Sequence, residues 1–305
     1  MDSARQPADN RQVMDVTPAR DDAVLPAMRI VALVVVGVLL PALVILWGLP
    51  SKTADLWAWT IKPDLTPIFM GAGYGAGAYF FLRVYRTARW HEVSVGVLSA
   101  AVFALLMLIT TLIHYDKFNH GDAPALAAIA FYGWTSVYIL SPWVVAWLWR
   151  RNEAHDPRLP EPGETLVPPA VRLAARVAAI GALLAAAVVL VSPSVAIDNW
   201  GWNLTPLTAR VIGCFTAQVG TGFLLLSFDP RWSSWRVLVQ TFLIAVVLLL
   251  VGAVRAWDAF DQHALLTWAY LAGLVGGALV LLALARSLER ERDAAPRNDR
   301  RAAAT

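Results

Sequence analysis

Two short segments of this sequence place one carboxylate beside two indoles: Asp55-Leu56-Trp57-Ala58-Trp59 and Asp198-Asn199-Trp200-Gly201-Trp202. An indole face attracts a cation through its ring quadrupole, and a nearby carboxylate adds direct charge attraction. Brought together, the two segments would make a pocket suited to a small cationic ligand. Trp also anchors membrane proteins at headgroup level, which is the plainer role for the four indoles. A second string, His114-x-Asp116-x3-His120, carries residue types that hold zinc. Residues two apart on a helix face different ways, and further along the chain only the aspartate has a counterpart, Asp258, with His263 nearby. Interfacial solvation is therefore the plainer account of these three side chains. Arg210 lies in an apolar run, where a charge is costly unless it snorkels or finds a partner, and Asp198 and Asp258 are the expected partners. The candidate ligand-binding set is thus Asp55, Trp57, Trp59, Asp116, Asp198, Trp200, Trp202, Arg210 and Asp258, and the candidate metal set is His114, Asp116 and His120.

Other chemistries are poorly served. The five histidines, His91, His114, His120, His155 and His263, fall at the ends of apolar runs or between them, which disfavours a haem held by two facing histidines. No Asp or Glu lies in the central part of an apolar run, where proton relays of transporters usually sit. There is no phosphate loop, nucleophile elbow or H-E-x-x-H helix, so no catalytic residue and no cofactor is assigned. The lone Cys214 excludes an intramolecular disulfide and a cysteine metal cluster. Thr110, Thr111, Gln218, Gln240 and Thr241 lie within apolar runs and are expected to hydrogen-bond between helices, and Gly71, Gly73, Gly75 and Gly77, with Gly273 and Gly277, let helices approach closely.

The elements that would position these residues are membrane helices. The 305-residue chain is 58% hydrophobic and only 15% charged, far from the roughly 25% charged of soluble domains. Eight apolar runs, at 30–49, 67–84, 93–113, 125–149, 172–195, 207–228, 235–254 and 265–284, are each long enough to cross about 30 Å of hydrocarbon as helix. The first lacks a cleavage pattern and reads as an uncleaved anchor, kinked at Pro41. Arg20, Arg29, Arg83, Arg86, Arg89, Arg150, Arg151, Arg158, Arg231, Arg236, Arg286, Arg290 and Arg292 gather on one face, while the other holds Lys52, Lys62, Lys117 and Arg255 with Asp55, Asp64, Asp116, Asp122, Asp198, Asp258 and Asp261. The positive-inside rule then puts both termini in the cytoplasm and the chain in the plasma (inner) membrane. The net charge of +3 forms no basic groove, so nucleic acid is not an expected partner. The lipid bilayer is one, and the glycine-lined helices would also serve a homo-oligomer or a partner subunit of a membrane complex.

The chain also resembles itself. Pro50-Ser51, Asp55, Trp57, Trp59 and Pro63 recur 143 residues later as Pro193-Ser194, Asp198, Trp200, Trp202 and Pro206. At an offset of 142, Leu65-Thr66, Gly71, Arg89-Trp90, Asp116 and Phe118 match Leu207-Thr208, Gly213, Arg231-Trp232, Asp258 and Phe260. Such matches are not what two Leu-rich segments share by composition, and they point to a duplicated unit. The expected fold is an all-α integral membrane protein with eight transmembrane helices as two tandem four-helix repeats in the same orientation. Residues 28–151 and 170–287 form the repeats, 152–169 a Pro-rich cytoplasmic linker, and 1–27 and 288–305 disordered tails. The expected activity is small-molecule binding or transport through an outward-facing site between repeats. A metal-dependent membrane enzyme using the outer His/Asp cluster and a scaffold or accessory subunit of a membrane complex are the alternatives.

Overall fold

In the computed structural model the residues described are 22–121, 123–156, 160 and 163–302. The N-terminal segment before residue 22, Asp122, and positions 157–159 and 161–162 of the Pro-rich linker lie outside them. Eight long helices carry the fold: α1 Pro26–Leu43, α2 Leu65–Arg86, α3 Ser94–Ile113, α4 Ala125–Glu153, α5 Pro169–Val191, α6 Pro206–Leu226, α7 Trp232–Arg255 and α8 Leu265–Ala302. No strand occurs among the described residues. Helix starts follow local chemistry. Pro26, Pro169 and Pro206 occupy first positions, where a missing N–H costs nothing. Thr205 and Thr208 form a reciprocal cap at the start of α6. Pro41 withdraws one hydrogen-bond donor from α1, and the helix widens into a π-turn over Val44–Gly48 a few residues on.

Seven of the eight are long and apolar enough to cross a membrane, so the protein is a multi-pass α-helical membrane protein. The eighth, α2, is equally long but rich in Gly and Tyr, and fourteen of its 22 residues are buried. It lies among other helices, where lipid solubility is not required.

The helices run alternately between two faces. One, the terminal face, gathers the start of α1, the α2–α3 and α6–α7 turns, and the ends of α4 and α8. Val24 N–H donates to Ala88 O and Trp90 N–H to Asp22 O, at 3.4 and 2.8 Å. Val167 N–H donates to Pro230 O and Trp232 N–H to Thr165 O, at 2.8 and 2.9 Å. On the opposite face Asn119 N–H donates to Ala58 O and Asp261 N–H to Gly201 O, both at 2.7 Å. Packing crosses between the halves: α1 lies on α2, α3 on α4, α5 on α6 and α7 on α8, while α2 packs on α7 and α3 on α6.

Ordered structure reaches beyond the ends of the apolar runs. Asp22 and Val24 are buried at the terminal face, and α8 continues past residue 287 because Leu288 packs in the cluster around Trp232 and Trp235. The linker is likewise tied at both ends, with Asn152 buried and accepting the Leu25 N–H at 2.9 Å and Val167 buried.

Gly71 brings α1 and α2 into backbone contact, since a Cβ there would lie 2.6 Å from Trp47 N. Gly71→Ala is expected to destabilise the protein by about 1–3 kcal/mol through overpacking, read as a lower thermal midpoint in detergent. Gly133→Ala on α4, where a Cβ meets nothing within 4 Å, should be neutral or slightly stabilising. A neutral Gly71→Ala would remove the close approach from the account of this helix pair.

Candidate functional site

The four indoles face the protein rather than the membrane surface, and they enter two separate clusters. Trp57 and Trp59 are 7% and 3% exposed. Their rings lie 5.6 and 4.9 Å from Trp134 of α4, and Trp59 lies 5.0 Å from Phe118. Asn119 holds this segment by donating its side-chain amide to Trp57 O at 2.9 Å, beside its backbone bond to Ala58. In the second half Trp202 is buried 5.2 Å from Trp200, 5.5 Å from Phe260 and 5.6 Å from Tyr270, and donates Nε1–H to Thr66 at 2.9 Å. The two clusters do not merge into one chamber, although Phe69 packs against both. Asp55, Asp116, Asp198 and Asp258 are all exposed, so the carboxylates lie apart from the buried rings they were expected to assist.

The metal set does not assemble either. His114 Nε2 lies 2.8 Å from Arg210 Nη1, and because arginine only donates, the imidazole accepts. His120 stacks on Tyr115 with centroids 5.2 Å apart. Asp116 pairs with Lys117 at 2.6 Å. Among the described residues no group of three or more His, Cys, Asp or Glu is placed to hold a metal ion. Arg210 meets neither Asp198 nor Asp258. Its Nε–H donates to Leu190 O at 2.9 Å, a carbonyl in the last turn of α5 left without a helical donor, which makes it a natural site for a cation. Arg255 does the same for Trp47 O at the end of α1, at 2.8 Å.

Sequence reasoning missed a polar seam at the terminal face. The Asp22 carboxylate bonds His91 Nδ1 and accepts the His91 N–H, and His91 Nε2 lies 3.0 Å from Ser233 Oγ. Ser233 in turn donates its hydroxyl and N–H to Glu164, at 2.9 and 3.1 Å. The chain of four side chains therefore runs from one half to the other. On either side, Trp90 Nε1 donates to Glu153 at 3.0 Å and Trp232 Nε1 to Glu289 at 2.9 Å. Arg231, 7% exposed, is clamped by Asp156 and Asp229 at 3.2 and 2.7 Å. Burial alone would lower its pKa, but the two carboxylates outweigh it and the guanidinium stays charged. The signal for this seam was available: Ser233 follows His91 by the same 142 residues that separate Trp90 from Trp232. A cavity of about 280 Å³ adjoins it, lined by His91, Trp149, Glu153, Asp229 and Arg231 among others.

A second cavity, about 310 Å³, lies between α2, α3, α6, α7 and α8, at the small end of ligand pockets. Phe69, Phe80, Phe215, Phe242 and Leu249 are among its walls. Its serine and threonine hydroxyls donate within their own helices: Ser99 to Gly96 O, Thr216 to Ile212 O and Thr241 to Val237 O, at 2.9, 2.9 and 2.8 Å. Of the polar residues expected to bridge helices, Gln240 does so, accepting from Tyr79 and Arg83 at 2.8 and 2.6 Å. Thr111 accepts from Trp134 at 3.0 Å, and Thr110 lies 3.5 Å from Cys214. Gln218 does not bridge. It lines this cavity without a hydrogen-bond partner among the described residues. No family model, no curated protein and no solved structure matches the chain.

Two measurements follow from this geometry. Burial first and Arg210 second hold the His114 imidazole below its ordinary 6.5, with Asp116 pulling weakly the other way. The unfolded chain takes up a proton below that value while the native one resists, so the stability contributed by neutral His114 is complete above 6.5 and is lost as pH falls through the lower native pKa. Between about pH 7 and pH 5 the wild type should therefore lose more thermal stability than His114→Gln, and parallel pH profiles would contradict the assignment. His91→Ala strands the buried Asp22 carboxylate and is expected to cost about 3 kcal/mol or more, measured by chemical unfolding in detergent, with His91→Asn milder. An unchanged midpoint for His91→Ala would mean the seam carries no stability.

Proposed function

We propose that this protein is an eight-span membrane protein, built from two tandem four-helix units with cytoplasmic termini, that binds a lipid-soluble small molecule in the cavity between its halves. The 310 Å³ cavity at hydrocarbon depth is the observation that carries this reading. The duplication is supported by hydrogen bonds that occur twice, including Asn119 to Ala58 with Asp261 to Gly201, and Trp90 to Glu153 with Trp232 to Glu289. It is supported again by cross-packing in which α2 on α7 and α6 on α3 exchange roles. The orientation rests on the arginines that crowd the terminal face, and the plasma membrane is the bilayer in which such a rule would orient the chain.

The duplicated unit also accounts for the cavity. In the first half Tyr74, Phe103 and Tyr138 fill the space beside Trp134, and the hydroxyls of Tyr74 and Tyr138 bond each other at 3.0 Å. At an offset of 142 the counterparts of Tyr74 and Phe103 are Thr216 and Ala245, both of which line the cavity. On α8, the Glu153–Glu289 correspondence sets Leu274 in the place of Tyr138 and Tyr270 in the place of Trp134. One unit is plugged by its own aromatic side chains, and the other is open. This reading is preferred to the outward cation pocket because Trp57, Trp59 and Trp202 are buried in two separate clusters, Trp200 is partly buried, and the four carboxylates are exposed.

A photoactivatable hydrocarbon diazirine in nanodiscs tests the proposal. It should label Gly73 and Ala76 of α2, which line the cavity in an otherwise enclosed helix. The double substitution Thr216→Tyr and Ala245→Phe, which restores the first half's aromatic plug, should reduce that labelling about fivefold or more. Labelling confined to lipid-facing α1 and α5 would overturn it.

A further inference from the structure

Resting on that reading, we propose that the ligand is a flat conjugated carbonyl compound with a long apolar tail, of the isoprenoid quinone class, whose carbonyl oxygen accepts a hydrogen bond from the Gln218 amide.

The shape comes first. On α2 the lining runs from Phe69 to Phe81, about 18 Å at 1.5 Å per residue, and on α7 it runs from Leu238 to Leu249. A volume of about 310 Å³ drawn out over that length is a slot rather than a chamber, which suits a chain. Rings of Phe69, Phe215 and Phe242 on its walls suit a flat conjugated head.

Charge narrows the class. No charged side chain lines the cavity, so neither a phosphate headgroup nor a fatty-acid carboxylate would find a counter-ion at that depth.

Polarity narrows it further. The lining hydroxyls of Ser99, Thr216 and Thr241 already donate to their own helices, which leaves Gln218 and Tyr270 as the lining groups that make no hydrogen bond among the described residues. A ligand group that accepts from the Gln218 N–H, and from the Tyr270 O–H if it carries a second oxygen, meets a need that a plain hydrocarbon does not. A carbonyl is an acceptor-only group that keeps a molecule lipid-soluble, and it is a stronger acceptor than an ether oxygen.

The test uses the full chain in nanodiscs and measures displacement of the diazirine label from α2 by decylubiquinone and by decylbenzene, which has the tail and ring but no oxygen. In the wild type decylubiquinone should displace the label at an about tenfold lower concentration, the value of one good buried hydrogen bond. Gln218→Leu, a change the bilayer tolerates, should bring the two compounds within about threefold of each other while leaving decylbenzene unaffected, and Tyr270→Phe should narrow the gap less. Equal displacement by the two compounds in the wild type would overturn the carbonyl assignment and leave the cavity's function standing. Absence of any cavity labelling would instead remove the function on which it rests.

Discussion

The structure depends on one packing constraint: the helices that follow each other at the centre of each half do not pack mainly on each other, but on the other half. Helix α2 lies on α7 and α3 on α6, so neither half closes its own core. Each half of the chain takes walls for its core from the helices of the other. Close approach at glycines makes the interlock dense. A Cβ at Gly75 would meet Leu248 of α7 at 3.0 Å, and one at Gly222 would meet Leu238 at 3.1 Å. In a bilayer, where no hydrophobic effect drives helices together, such van der Waals contact is what association relies on.

The same interlock decides where polar groups go. Buried donors and acceptors need partners, and many find them across the halves: His91 with Ser233, Arg83 and Tyr79 with Gln240, Trp202 with Thr66, Trp47 with Leu248 O. The terminal face is stitched by carboxylates and indoles, and the opposite face by arginines capping helix-end carbonyls. Between these two stitched ends the middle is apolar, and there the two halves differ. The first is plugged by Tyr74, Phe103, Trp134 and Tyr138, whereas the second keeps a slot with a bare amide at Gln218. The difference between the two halves, not their likeness, is what leaves the cavity open.

Much of the architecture was legible in the order of residues, because apolar run length and proline position act locally. All eight expected runs coincide with long helices, although α1 and α5 start four and three residues before the expected runs, at Pro26 and Pro169. Even the glycine- and tyrosine-rich α2, the one helix that falls short on apolarity, was visible through its length. The site was far less legible. Trp57 and Trp59 carry the same residue type as a headgroup anchor, and only the arrival of Trp134, Phe118 and Tyr74 around them turns them inward. Arg210 was expected to seek a carboxylate, but its reach ends at His114 and at the Leu190 carbonyl, since backbone acceptors at a helix end leave no trace in side-chain identity.

What the sequence determined by itself was a helical membrane chain and the approximate extent of its helices, which follow from hydropathy, and the pairs of positions that recur 142 or 143 residues apart, which are visible in residue identity alone. What only the tertiary structure decided was which of those positions meet. Asp22, His91, Ser233 and Glu164 lie far apart along the chain and join through the packing of two halves. The slot beside Gln218 exists because of side chains absent from its walls. A void is a property of several helices at once, and no single stretch of residues encodes it.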